Sequence, residues 1–360
     1  MGKRSIVPFG PQHPVLPEPI HLDLEIEDER VIRAIPNIGF IHRGLEGLVE
    51  KKDWSTMVYV VERTCGICSF GHGMGYCEAV EHQMGVDIPV RAKYIRTILM
   101  EMSRMQSHFL WLGLLADGFG FEALFYQAWR IRERILDLLE MITGGRVIFS
   151  INKVGGVMKD ITPEMQKTVL DEMNNIEREL KEIEGTFLGD YTVQNRLKGQ
   201  GVLTKEQALG LGCVGPFARA SGIATDYRTL GYAAYSDLDF EPITSNQGDS
   251  WARCYVRLHE IYQSIDLIRQ AFSKMPAETD LEVAVKGNPT GEYLMRIEQP
   301  RGEAIYYVKG SGKRNLDRFR LRTPTFANLA GLCETLKDAE YSDVGLLCIT
   351  IDPCISCTER

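Results

Sequence analysis

Over residues 21–27 polar and apolar side chains alternate, with Leu22, Leu24 and Ile26 between Asp23, Glu25 and Glu27, and residues 14–34 read as a strand or hairpin at one edge of the fold. From 90 to 117 the period lengthens to that of a helix, with Ile95, Ile98, Leu99, Met102, Met105 and Phe109 along one stripe. The same period runs through 123–141, 162–187 and 251–272; Thr162 is placed to cap the second of these and Pro163 to begin it. Alternation returns over 282–323, in EYLMRIEQ and EAIYYVKG, broken by glycines. A last helix near 324–337 leads into the apolar run VGLLCITI at 344–351. The pattern predicts a mainly α fold, a long helical bundle with small peripheral β-sheets and no internal repeat. It predicts one unit over 1–360: a β-rich N-terminal edge (1–50), a helical core (51–280), and a β segment with a C-terminal tail (281–360).

Composition narrows the function classes. With 44% apolar and 25% charged residues the chain is ordinary globular material, and a formal charge of −8 without a basic stripe argues against nucleic acid as a partner. The start, MGKRSIVPFG, is basic but has no apolar signal-peptide core. No stretch approaches the roughly 18 apolar residues of a spanning helix, so the chain is expected to be soluble in itself, with room for a seat on a membrane complex.

Nine cysteines are many for such a chain, and they favour metal or redox chemistry over structural disulfides. Four of them form two Cys-x-x-Cys pairs: Cys65 and Cys68 in RTCGICSFGH, with His72 four residues on, and Cys354 and Cys357 in DPCISCTER. For Cys77, Cys213, Cys254, Cys333 and Cys348 the expected role is a small buried hydrophobe. Four convergent thiolates can hold a structural zinc, an iron–sulfur cluster or a thiolate-bound transition-metal centre. Structural zinc usually staples short segments. Pairs at opposite ends of the chain fit zinc poorly and suit a site at the centre of a large fold, closed by the tail.

The two motifs, RTCGIC (63–68) with His72 and DPCISCTER (352–360), resemble those of the large subunit of nickel–iron hydrogenases of the membrane-bound, energy-converting type. FGPQHPV (9–15), IHRGLEGL (41–48), MQSHFLWLGLLAD (105–117) and QPRGE (299–303) resemble the same group and the related 49-kDa quinone-site subunit of respiratory complex I. The likeness therefore runs from end to end, and it implies the helical bundle of a hydrogenase large subunit. It implies a nickel–iron centre, with Cys65 and Cys354 as terminal nickel ligands, Cys68 and Cys357 bridging nickel to iron, and carbon monoxide and two cyanides completing the iron. His72 would hydrogen-bond a bridging thiolate. Pro300 and Arg301 would lie over the open metal position, the guanidinium near where dihydrogen reacts. Asp352 would support them from the tail. Glu18, in LPEPIHL, would relay protons, although the family spacing Glu-Gly-His is here Glu18-Pro19-Ile20-His21. Asp117 matches a family position only with an offset of one or two residues.

The implied reaction is the reversible reduction of protons to dihydrogen. No clustered cysteines remain for an iron–sulfur cluster in this chain, so electrons would pass through a small subunit carrying a 4Fe–4S cluster, with ferredoxin as donor. Further iron–sulfur and membrane subunits would couple the reaction to ion translocation, placing the chain peripherally on the cytoplasmic face of the cell membrane. The competing expectation is an electron-transfer scaffold without hydrogen chemistry, as in complex I or a sulfur-reducing complex; such relatives lose some or all of the four cysteines. No appended N-terminal domain of the kind formate-linked relatives carry is expected. An end at Arg360 resembles the product of C-terminal processing. Many relatives end in a metal-binding His; Arg has no lone pair to offer, so the expectation here is an ion pair between Arg360 and Glu46.

Overall fold

The helix Val90–Gly118 runs through the middle of the molecule and is buried along most of its length. It packs against Glu122–Thr143, Ser250–Lys274 and the short tail helix Val344–Thr350, while Pro163–Gly189 closes the outer side. The outer helices show the expected stripe: Leu124, Ala128, Ile131, Ile135, Leu139 and Ile142 face inward along Glu122–Thr143. Thr162 caps Pro163–Gly189 by accepting from Met165 N at 3.3 Å, with Pro163 in the first turn as read. The computed structural model describes residues 4–360; the first three residues of the basic start lie outside the described residues.

Three small antiparallel sheets sit around this frame. The N-terminal one orders Ser5–Phe9, His21–Glu27 and Arg30–Asn37, joined by a turn in which Asp28 and Glu29 both take positive φ, the geometry of a tight hairpin. Residues 14–20, read as part of that hairpin, lie outside its strands; the edge strand comes earlier, at Ser5–Phe9, where Pro8 is tolerated because one side of the strand is unpaired. A two-stranded sheet pairs Asn152–Lys153 with Gly156–Val157. The third orders Thr290–Gln299, Gly302–Ser311 and Arg318–Arg322, and its first hairpin turns at Pro300 and Arg301.

Two departures matter for the site. The helix Ser69–Met84 follows directly on the first cysteine pair, in a stretch whose glycines argue against helix. Residues 198–249, inside the expected helical core, hold only short helices and loops. The N-terminal sheet and the tail share one hydrophobic cluster, in which Phe9, Leu22 and Leu24 meet Phe217, Leu332, Leu347, Ile351 and Ile355. Each such side chain contributes about 1.5–3 kcal/mol on burial, so the two ends of the chain hold each other beside the cysteines.

Candidate metal centre

Cys65 lies in the turn between the helices Val58–Glu62 and Ser69–Met84, and Cys68 is the N-cap of the second. Cys354 is the N-cap of the tail helix Ile355–Thr358, reached through Asp352 in the left-handed region (φ 60) and Pro353. The pairs meet first to first and second to second: Cys65 Sγ is 3.2 Å from Cys354 Sγ, and Cys68 Sγ 3.3 Å from Cys357 Sγ. All four sulfurs lie within 4.8 Å of one another, and each cysteine is no more than 3% exposed. A hydrogen bond from Cys354, then from Cys357 and Cys65, holds the Cys68 thiol well below its ordinary pKa, while burial pushes Cys357 up. The sulfurs share protons among themselves, and a soft cation seated between them would displace the rest. The donor set and the span suit thiolate-loving metals.

His72, fully buried on the Ser69–Met84 helix, sets Nε2 at 3.4 Å from Cys68 Sγ and 3.3 Å from Cys357 Sγ. These are the two cysteines expected to bridge. Its Nδ1 lies 2.9 Å from the Tyr306 hydroxyl. Arg301 is also buried: Nη2 meets Asp352 Oδ1 at 2.6 Å, Nε donates to the Asp352 carbonyl at 2.9 Å, and Nη1 donates to Ser107 Oγ at 3.0 Å. Burial disfavours its charge, yet Asp352 and then Cys354 and Cys68 hold the guanidinium above its ordinary pKa. The second carboxylate oxygen of Asp352 is buried without a partner, an acceptor left over at the site. Pro300, buried beside Arg301, fixes the hairpin turn that aims it.

A cavity of about 230 Å³ opens onto this group. Leu110, Trp111, Leu114 and Trp129 form its apolar wall; Glu18, Arg301, Asp352 and Cys354 stand at its polar side. Glu18 also caps the tail helix. Its carboxylate accepts from Ser356 N at 3.1 Å, from Ile355 N and from the Ser356 hydroxyl. The structure thus gathers Glu18, His72, Pro300, Arg301 and Asp352 around the four cysteines. Asp117 is the exception. It is exposed near the end of Val90–Gly118 and does not line the cavity; from that helix Leu110, Trp111 and Leu114 line the cavity and Ser107 bonds Arg301.

The tail is held from several sides. Arg43 donates to the Thr64 carbonyl at 2.6 Å and to the Ser356 carbonyl at 3.5 Å, joining the two cysteine segments. Ile41 N donates to Glu359 Oε2 at 2.6 Å, Thr323 Oγ1 to the Cys357 carbonyl at 3.0 Å, and Cys354 N to Thr325 Oγ1 at 3.1 Å. Arg360 Nε lies 3.2 Å from Glu46 Oε1 as expected, although both side chains are 17–20% exposed and not fully buried. The segments IHRGLEGL and MQSHFLWLGLLAD carried the signal for Arg43 and Ser107; nothing local marks Thr323, Thr325 or Tyr306.

Residues 118–288 and 281–360 match the family profile described as Respiratory-chain NADH dehydrogenase, 49 Kd subunit, and residues 43–116 that of Nickel-dependent hydrogenase. The membrane-bound hydrogenase subunit alpha of Pyrococcus furiosus is 36% identical over 98% of this chain and 87% of its own length. The carbon monoxide-induced hydrogenase of Rhodospirillum rubrum is 36% identical over 98% of this chain and 99% of its own. Among solved structures, a chain of the membrane-bound sulfane sulfur reductase, an archaeal respiratory membrane complex, superposes with a TM-score of 0.94 at 31% identity, covering 99% of this chain and 98% of that one.

Proposed function

We propose a hydrogenase role for this chain from one premise: it belongs to the family that unites the 49-kDa subunit of the respiratory-chain NADH dehydrogenase with nickel-dependent hydrogenases. Within that family the chain is the catalytic subunit of an energy-converting nickel–iron hydrogenase, folded as one unit over 1–360. The observation that carries the reading is the cluster itself, four buried thiols from opposite ends of the chain within 4.8 Å of one another.

Nickel and iron fit this donor set, which offers four soft sulfurs, an N–H-capable imidazole beside two of them and an unpartnered carboxylate oxygen nearby. When bound, the pair supplies the two-electron chemistry that interconverts dihydrogen with protons. Cys65, Cys68, Cys354 and Cys357 would hold it. The chain does the rest. The apolar wall admits a small uncharged gas and keeps bulk water from the sulfurs. Arg301, immobilised by Asp352 and Ser107, holds a fixed positive charge beside Cys354. Cys354 and the partly exposed Glu18 both line the cavity, so in this reading a proton taken on the Cys354 sulfur passes to Glu18 on its way outward.

Electrons enter from reduced ferredoxin through a partner subunit with a 4Fe–4S cluster. The relatives named above as membrane-bound support a place for the chain in such a complex, and no helix among the described residues is long and apolar enough to cross a membrane. In this reading the chain sits peripherally, on the cytoplasmic face, with ion translocation left to membrane subunits.

The likeness to the sulfane sulfur reductase chain favours a second reading, an electron-transfer scaffold without hydrogen chemistry. Infrared spectroscopy of the purified complex separates the two. Carbonyl and cyanide stretches, with nickel and the centre's iron in equal amounts, are expected; their absence, or zinc in the place of nickel, favours the scaffold.

A further inference from the structure

We infer that Tyr306 is a positioning residue for the metal centre: its hydroxyl fixes the tautomer of His72, so that the imidazole donates its Nε2–H to the Cys68 and Cys357 sulfurs. The inference rests on the hydrogenase reading above. A neutral imidazole carries one proton. Its Nε2 faces two sulfurs at 3.3 and 3.4 Å, and once these are metal-bound thiolates a lone pair there would be repelled while an N–H is attracted. Nδ1 must then accept, and the donor in reach is the Tyr306 hydroxyl at 2.9 Å. That hydroxyl in turn receives Gln299 Nε2 at 3.0 Å, leaving its own proton for His72; the competing acceptor, the Gly71 carbonyl, is farther away at 3.4 Å. Burial raises the Tyr306 pKa well above its ordinary value, which keeps the phenol a donor.

The backbone is shaped for this relay. A Cβ on Gly71 would fall 2.3 Å from Gln299 Oε1, and one on Gly75 would fall 2.3 Å from the Tyr306 ring. Gly71 and Gly75 of FGHGMG, which cost helix stability, are therefore what allows the hairpin residues Gln299 and Tyr306 to press against the Ser69–Met84 helix beneath His72.

The test is infrared spectroscopy of the purified complex carrying Tyr306→Phe, which keeps the ring and deletes the hydroxyl. With the Nε2–H no longer held on the sulfurs, more electron density stays on them and reaches the iron, so the carbonyl stretch moves to lower wavenumber with nickel content unchanged. His72→Ala shifts it at least as far in the same direction, and adding Tyr306→Phe to His72→Ala produces no further shift. Gln299→Leu, which strips the hydroxyl of its own donor, shifts it in the same direction by less and serves if Tyr306→Phe fails to assemble. Bands present but unmoved in both single variants, or a Tyr306→Phe shift that persists without His72, overturn the inference alone. A complex of the unsubstituted chain with no such bands overturns the hydrogenase reading, and the inference with it.

Discussion

Arg301→Lys keeps the charge beside Cys354 and discards the fork that aims it. The guanidinium makes three contacts, two with Asp352 at 2.6 and 2.9 Å and one with Ser107 at 3.0 Å. A lysine ammonium, a point charge on a flexible stem, can keep one of them in this geometry. Hydrogen bonds to charged groups contribute about 1.5–3 kcal/mol each; two lost at the lower figure come to about 3 kcal/mol. If the reaction depends on a guanidinium fixed at that point, the same 3 kcal/mol falls on the barrier, about 100-fold in rate. Hydrogen–deuterium exchange by the purified complex, normalised to nickel content, should drop by about that factor while nickel and iron stay at unsubstituted levels. Arg301→Ala should go further and lose metal, because it leaves the buried Asp352 charge without its partner, at a cost of about 3–5 kcal/mol. Exchange within about threefold of the unsubstituted enzyme in Arg301→Lys, at equal metal content, would refute a role for the fixed guanidinium.

Glu18→Gln should abolish hydrogen evolution and exchange with metal content intact, since an amide cannot carry the proton; retained activity would move the relay to another group. Glu62, fully buried with one oxygen unpartnered, has its pKa raised by burial from the ordinary 4.5 to about 7, against a partial offset from Ser150. The folded state then holds a proton that the unfolded state has released, so stability falls as pH rises from about 4.5 to 7, by about 3 kcal/mol in all. Glu62→Gln should flatten the thermal stability of the purified complex over that window, and an unchanged slope would show that Glu62 ionises freely. Arg360→Ala removes a pair whose side chains are 17% and 20% exposed and a stack over Phe326 at 5.3 Å, so the loss should be about 1 kcal/mol or less, seen as faster amide exchange in the tail helix Ile355–Thr358. Unchanged protection there would mean the tail is held without it.

The outer helices such as Glu122–Thr143 were legible because they leave one side to solvent, so that Leu124, Ala128, Ile131 and Ile135 repeat with the helical period. Ser69–Met84 was not, because nearly all of it is buried and carries no polar stripe, and because Gly71, Gly73 and Gly75 are packing choices that imitate a loop signal. The four clustered cysteines announced themselves by spacing. Their supports did not. Thr323, Thr325 and Tyr306 are ordinary residues that act only through tertiary placement, and no local pattern distinguishes them from core or turn residues. Asp117 failed for the opposite reason: a family position was read across an uncertain register, and the helix end it occupies faces water.

Chain ends fray, yet this tail carries two of the four thiols, and the contacts that hold it span most of the chain: 289 residues from Cys65 to Cys354, 318 from Ile41 to Glu359, 338 from Glu18 to Ser356. Closing loops of that size costs only logarithmically with length, and the cost falls once, on the first contact made. After it, the others join segments already side by side. Arg43, Glu18, Thr325 and Glu46 are thus partly redundant restraints. Removing one leaves the loop closed, and only their joint loss returns the full cost of closure. A single clamp such as Arg360 with Glu46 can therefore be weak while the tail as a whole is firmly held. The partners of the tail come from the N-terminal segment, the first cysteine turn and the end of the last sheet, so its contacts complete only when all three are in place.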